Sequence, residues 1–175
     1  MVSLQVKGET AYVLDVVHER LEYPDLKRKV TVVYRNWRSA CSRCELVIEN
    51  KGSGMSLIQD LKREGINAIA VDPEGDKAMR MNAQTARIEA GSVLLPRQAG
   101  WLDEFRAEIL PFPAARYSDQ VDAFSQALHR AFTARPRECM VGIISLDGTI
   151  DWSGGRYKGR AFDASPNGCI PSGRR

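Results

Sequence analysis

Several things are scarce or missing in this 175-residue sequence, and each shortage removes a class of function. No apolar run approaches the ~20 residues of a bilayer-spanning helix, so a membrane protein of that kind is not expected. Val2 to Thr10 carries Lys and Glu without an apolar block, which is not the layout of a secretory signal, and a cytoplasmic protein is expected. Histidine is limited to His18 and His129, and cysteine to Cys41, Cys44, Cys139 and Cys169. The pair Cys41 and Cys44 has the spacing of half a zinc site, but no second half follows at matching spacing. Free thiols are therefore expected rather than structural zinc. Cys41 precedes a strand pattern instead of opening a helix, which argues against a thioredoxin-like role. No Gly-x-x-x-x-Gly-Lys-Ser/Thr loop occurs, so no ATP site is expected in this chain.

What remains is ordinary for a globular chain: 43% hydrophobic and 27% charged residues, with a mild formal net charge of +3. The length suits one domain with a sizeable core. Ser3 to Lys7 and Ala11 to Val17, around Gly8-Glu9-Thr10, predict a β-hairpin. Pro24 opens a helical pattern carrying Leu26, Val30, Val33, Tyr34 and Trp37 inward. Its other face is Lys27, Arg28, Lys29, Arg35 and Arg38, which reads as a solvated face before it reads as a DNA contact. A strand is predicted over Glu45 to Glu49, then a helix with Leu57, Ile58 and Leu61, stopped by Gly65. Ile66 to Val71 is the next strand, and Asp76 caps a helix reaching Ala90. A short strand near Val93 to Pro96, a helix with Trp101, Phe105, Ile109 and Leu110, and a last helix from near Ser118 complete the pattern. Val121, Phe124, Ala127, Leu128 and Phe132 form the inward face of that last helix.

The order is that of an α/β fold with parallel units after the hairpin. The texture changes at Arg135, where seven of the fourteen glycines fall in the last 41 residues. We expect a domain over 1–134 and a Gly/Pro-rich tail over 135–175, mostly irregular, in which Met140 to Leu146 alone suggests a strand.

Chemistry concentrates around Cys44-Glu45-Leu46-Val47-Ile48-Glu49-Asn50-Lys51-Gly52-Ser53-Gly54-Met55. An apolar strand ends in a carboxylate, and the glycines beyond it let a phosphate, metal or backbone approach closely. Asp119 and Asp122 are the other informative acids. Asp119 in a first helical turn is favoured electrostatically with no further role. The sharper reading joins Glu49 and Asp119 as hard oxygen ligands for Mg²⁺ or Mn²⁺, as two-metal phosphodiester cleavage requires. A third possibility is a phosphate or nucleotide at Gly52-Ser53-Gly54, although a full phosphate-loop fingerprint is lacking.

Four separated motifs occur in a familiar order: Leu21-Glu22-Tyr23-Pro24-Asp25-Leu26-Lys27-Arg28, Val47 through Leu61, Gly75-Asp76-Lys77-Ala78-Met79-Arg80, and Ser118-Asp119-Gln120-Val121-Asp122-Ala123. Together they resemble the C-terminal nuclease domain of tailed-phage terminase large subunits, over about residues 3 to 132. The resemblance implies an RNase H-like mixed sheet flanked by helices. It also implies a Mg²⁺- or Mn²⁺-dependent endonuclease that cuts concatemeric double-stranded phage DNA during packaging in the bacterial cytoplasm. Glu49 corresponds to the family's middle acid and Asp119 to its last, while Asp122 matches a further acid, a metal ligand or a structural residue. Lys51, Lys77 and Arg80 are the candidate phosphate contacts. Other terminase subunits or the portal are the implied protein partners.

Departures from the family pattern bear on activity. The family's first acid lies on a first, central strand preceding the hairpin, and this sequence opens at the hairpin. Asp15 is on the wrong strand to replace it. Ser118 and Asn50 stand where the family often has Asp, and the ATPase motor is absent. The expectation is a domain lacking its first central strand, with impaired cleavage. The alternative is a catalytically inactive remnant that binds DNA or the packaging complex.

Overall fold

The computed structural model describes residues 1–41, 43–133 and 138–144, the last stretch through its backbone alone. Its elements are β1 (Val2–Lys7), β2 (Thr10–Val16), α1 (Tyr23–Ala40), β3 (Cys44–Glu49), α2 (Ser53–Arg63), β4 (Ala68–Val71), α3 (Lys77–Glu89), β5 (Val93–Leu94), α4 (Leu102–Ile109), α5 (Asp119–Thr133) and β6 (Glu138–Ile144). The strands form one mixed sheet in the order β4-β3-β6-β1-β2-β5.

The hairpin β1–β2 pairs antiparallel, and β3 pairs parallel with β4, as expected for a hairpin followed by crossover units. Between these halves lies β6, antiparallel to β1 and parallel to β3. The centre of the sheet is thus filled by the one stretch of residues 135–175 that read as a strand. Residues 145–175, which hold the end of the expected Met140 to Leu146 strand and the expected irregular tail, lie outside the described residues, as does Cys169.

Helices cover both faces of the sheet. On one side, Val30 of α1 and Leu57 and Leu61 of α2 bury against Leu46 and Ile48. On the other, Phe105 of α4 and Ala123, Phe124, Ala127 and Leu128 of α5 bury against Val2, Leu4, Val6 and Val47, with Met81 and Ile88 of α3 beside them. Trp101, Phe105 and Phe124 pack edge to face, with centroids 5.7 and 5.2 Å apart.

Periodicity locates the apolar face of α5 but not its degree of enclosure. Gln120, Asp122, Ser125 and Gln126 are also buried, because α3 and α4 close in on the flanks that solvent would otherwise reach. The basic face of α1 is largely paired. Lys27 contacts Glu64 at 2.8 Å, Lys29 contacts Glu19 at 3.0 Å, and Arg28 meets Asp25. Ile66 is buried yet precedes β4, its amide bonded to Leu61 O in the turn that ends α2. Among the described residues, no helix is long and apolar enough to cross a membrane.

Candidate functional site

Glu49 ends β3, where the parallel strands point their carboxyl ends towards loops, the usual position of ligands in open α/β sheets. Strand alternation settles which face it takes. Leu46 and Ile48 belong to the α1/α2 side, whereas Val47 belongs to the α5 side. Val71, the β4 partner of Glu49, packs on the α5 side as well. Glu49 is therefore directed to the face that carries α5. It is 2% exposed and ion-paired at 3.3 Å with Lys51, which is mostly exposed. Asn50 beside it donates to Asp72 Oδ1 at 3.2 Å, tying the end of β3 to the end of β4.

The turn after Glu49 depends on glycine. Gly52 has φ +50°, ψ −124°, a conformation that L side chains rarely adopt, and it starts α2 immediately beyond. The turn after β4 uses another: a Cβ on Gly75 (φ +68°) would lie 2.8 Å from Met79 Sδ. That turn delivers Asp76, whose side chain accepts from Met79 N at 2.7 Å and caps α3. Lys77 and Arg80 thereby project from the first turn of α3 towards α5.

At the start of α5 the two aspartates meet these cations. Lys77 Nζ lies 3.3 Å from Asp119 Oδ1 and 3.8 Å from Asp122 Oδ2. Arg80 donates to Asp122 Oδ1 through Nε at 3.1 Å and Nη2 at 2.6 Å. Its Nη1 donates to the carbonyls of Gly75 and Glu74 at 2.6 and 3.3 Å. Asp122 is 1% exposed and also accepts from Gln126 Nε2 at 3.0 Å. Asp119 is accessible enough to meet a ligand, with its side chain a quarter exposed.

A third acid acts here that the sequence reading did not single out. Glu108 of α4 is buried, and its Oε1 accepts from the amides of Gln120 and Val121 at 2.6 and 3.1 Å. Its Oε2 accepts from Gln120 Nε2 at 2.8 Å. A carboxylate from another helix thus caps α5 and complements the partial positive charge of its N-terminus. In sequence, Glu108 stands among the apolar residues of an amphipathic helix with only its unpaired charge as a signal.

Of the expected site residues, then, Asp119, Asp122, Lys77 and Arg80 form one connected group. Glu49 and Lys51 form a pair at the end of β3, with Glu49 turned to the same face. Among the described residues, no three acidic, His or Cys side chains are gathered closely enough to hold a metal ion. A cavity of about 530 Å³ lies between β4, α3 and α5, bounded by Val71, Glu74, Arg80, Gln84, Gln126 and Arg130 among others, and neither Glu49 nor Asp119 lines it. Asp15, on β2, is separated from β3 by β1 and β6 in the sheet.

The mixed sheet between two helical layers is consistent with an α/β domain of RNase H-like type. The family model described as Terminase RNaseH-like domain matches residues 1–131, and the chain belongs to that family. Searches of curated proteins and of solved structures each return no match. The role that family membership gives the chain is that of a terminase nuclease domain.

Proposed function

We propose that this chain is a metal-dependent DNA endonuclease of phage DNA packaging. The observation that carries this reading is the orientation of Glu49 to the α5 face, at the strand end nearest the α3 cations that engage Asp119. Glu49 and Asp119 offer hard oxygen donors of the kind Mg²⁺ and Mn²⁺ prefer. The Lys77 ammonium drawn against Asp119 and Asp122 supports the fit, since that spot already attracts positive charge. Glu49 and Asp119 would hold a divalent ion, which when bound would offset the negative charge developing on the phosphodiester oxygens. Asp122, saturated by Arg80 and Gln126, acts by holding α3 against α5. Lys51, exposed at the rim beside Glu49, is the cation best placed to meet a DNA phosphate; Lys77 and Arg80 steady the acids. Host cytoplasm, double-stranded phage DNA and the remaining terminase subunits or portal are the setting and partners this implies.

A second reading has its own observation: among the described residues no three-ligand cluster is present. On that reading the domain binds DNA or the packaging complex without cutting. Nicking of supercoiled plasmid in Mn²⁺ separates the two. Nicking that disappears in both Glu49→Ala and Asp119→Ala supports the nuclease. DNA binding with no nicking by the parent chain supports the inactive domain.

A further inference from the structure

No strand from residues 1–131, the part matched to the family, lies between β1 and β3 in the sheet. There β1 and β3 are not paired with each other. β6 runs between them, its residues 143 to 138 opposite Val2 to Lys7 and its residues 140 to 144 opposite Cys44 to Ile48. Without it the sheet would fall into two pieces, β5-β2-β1 and β3-β4, each with an open interior edge. Those edges are not built for water. Val2, Leu4 and Val6 are at most 1% exposed, as are Ser3 on the opposite face of β1 and Val47 and Ile48 on β3. A buried backbone N–H or C=O without a partner carries a penalty of a lost hydrogen bond, and an open, apolar edge invites another strand.

We propose that residues 138–144 are an intramolecular donor strand: a segment outside the family match that enters a central slot, antiparallel to β1 and parallel to β3, and completes the fold of its own chain. Recognition rests on backbone pairing along both edges, which tolerates many side chains as long as the strand is extended and lacks proline. The occupant is the chain's own strand because only residues 134–137 separate it from α5, and α5 packs on both β6 and β1. A connection that short limits where the strand can be delivered. The consequence for the site is direct. Among the described residues, the Glu49 strand is joined within the sheet to the hairpin only through β6, so the donor strand sets where Glu49 stands relative to the rest of the sheet. This proposal does not depend on the chain cutting DNA.

Hydrogen–deuterium exchange read by mass spectrometry on the full chain tests it. Amides of 138–144 are expected to be protected to the same degree as those of β1 and β3; exchange at the rate of an unstructured peptide overturns the proposal. Val141, opposite Leu4 on one side and Glu45 on the other, is the position for a full-chain variant. Val141→Pro removes a ladder donor in a central strand and is expected to lower the melting temperature by roughly 6–12 °C. An unchanged melting temperature overturns the proposal. Sedimentation is expected to give a monomer with these protected amides. A dimer that loses protection on dilution to monomer would instead assign the slot to a second copy and overturn the intramolecular assignment.

Discussion

Arg80 reaches Asp122 through two nitrogens, at 3.1 and 2.6 Å, while its third nitrogen binds the carbonyls of the turn before α3. One side chain therefore fastens the β4–α3 turn to the first turn of α5. The two loops that carry the candidate chemistry cannot move independently while this contact persists.

Arg80→Ala leaves a carboxylate that is 1% exposed without its guanidinium. Breaking a buried pair from one side costs about 3–5 kcal/mol. Urea denaturation is expected to show a loss of that size. A loss below about 1 kcal/mol, the range of a surface pair, would return Arg80 to the set of DNA contacts.

Glu108→Ala removes the acceptor of two α5 amides and one carboxamide. Each buried group left unsatisfied costs about 1–3 kcal/mol, so a destabilisation towards the upper end of a point mutation is expected. Faster amide exchange in the first turn of α5 would accompany it. Normal protection there would mean that Glu108 does not cap the helix.

Lys77→Met deletes an ammonium 3.3 Å from Asp119 while keeping much of the side-chain volume. If Asp119 binds a divalent ion, Mn²⁺ affinity measured by calorimetry rises severalfold, because the ion no longer competes with a fixed cation. An unaltered affinity removes Asp119 from the ion's ligands.

Two acids give stability opposite responses to pH. Burial is the main cause that raises the Asp15 carboxyl above 3.8, against the lowering effects of the amino terminus, the Val16 amide and Lys29. Its contribution is most favourable below 3.8 and is lost as pH rises through the raised value. Asp15→Asn is thus expected to melt higher than the parent at pH 7, with the gap closing as pH falls towards 3.8. Asp60 is held below 3.8, first by the Tyr23 hydroxyl that donates to it at 2.9 Å. Its contribution is present above 3.8 and is lost as pH falls through the lowered value. Tyr23→Phe should narrow that acid-side loss, and melting curves from pH 2 to 7 measure both effects.

Much of the fold was legible because its signals are local. Pro24 opening α1, Asp76 capping α3 and Gly65 ending α2 act within a turn of the residues they govern. The alternation in Val47-Ile48-Glu49 needs only the period of a strand to place Glu49 opposite Ile48. The placement of the candidate residues was legible for the same reason: Glu49 and Asp119 stand at element ends that short-range patterns locate. Glu108 was missed because a carboxylate on α4 gains meaning only when Gln120 in the first turn of α5, 12 residues later in sequence, is packed against it.

The sequence by itself determined the elements, their apolar faces and the membership of residues 1–131 in the terminase family, since each follows from residue order. Tertiary structure decided the partners: that Asp122 belongs to Arg80, that the α1 cations belong largely to neighbouring acids, and that the middle of the sheet belongs to β6. Those pairings join residues far apart in the chain, and only the folded backbone brings their charges and hydrogen-bonding edges within reach.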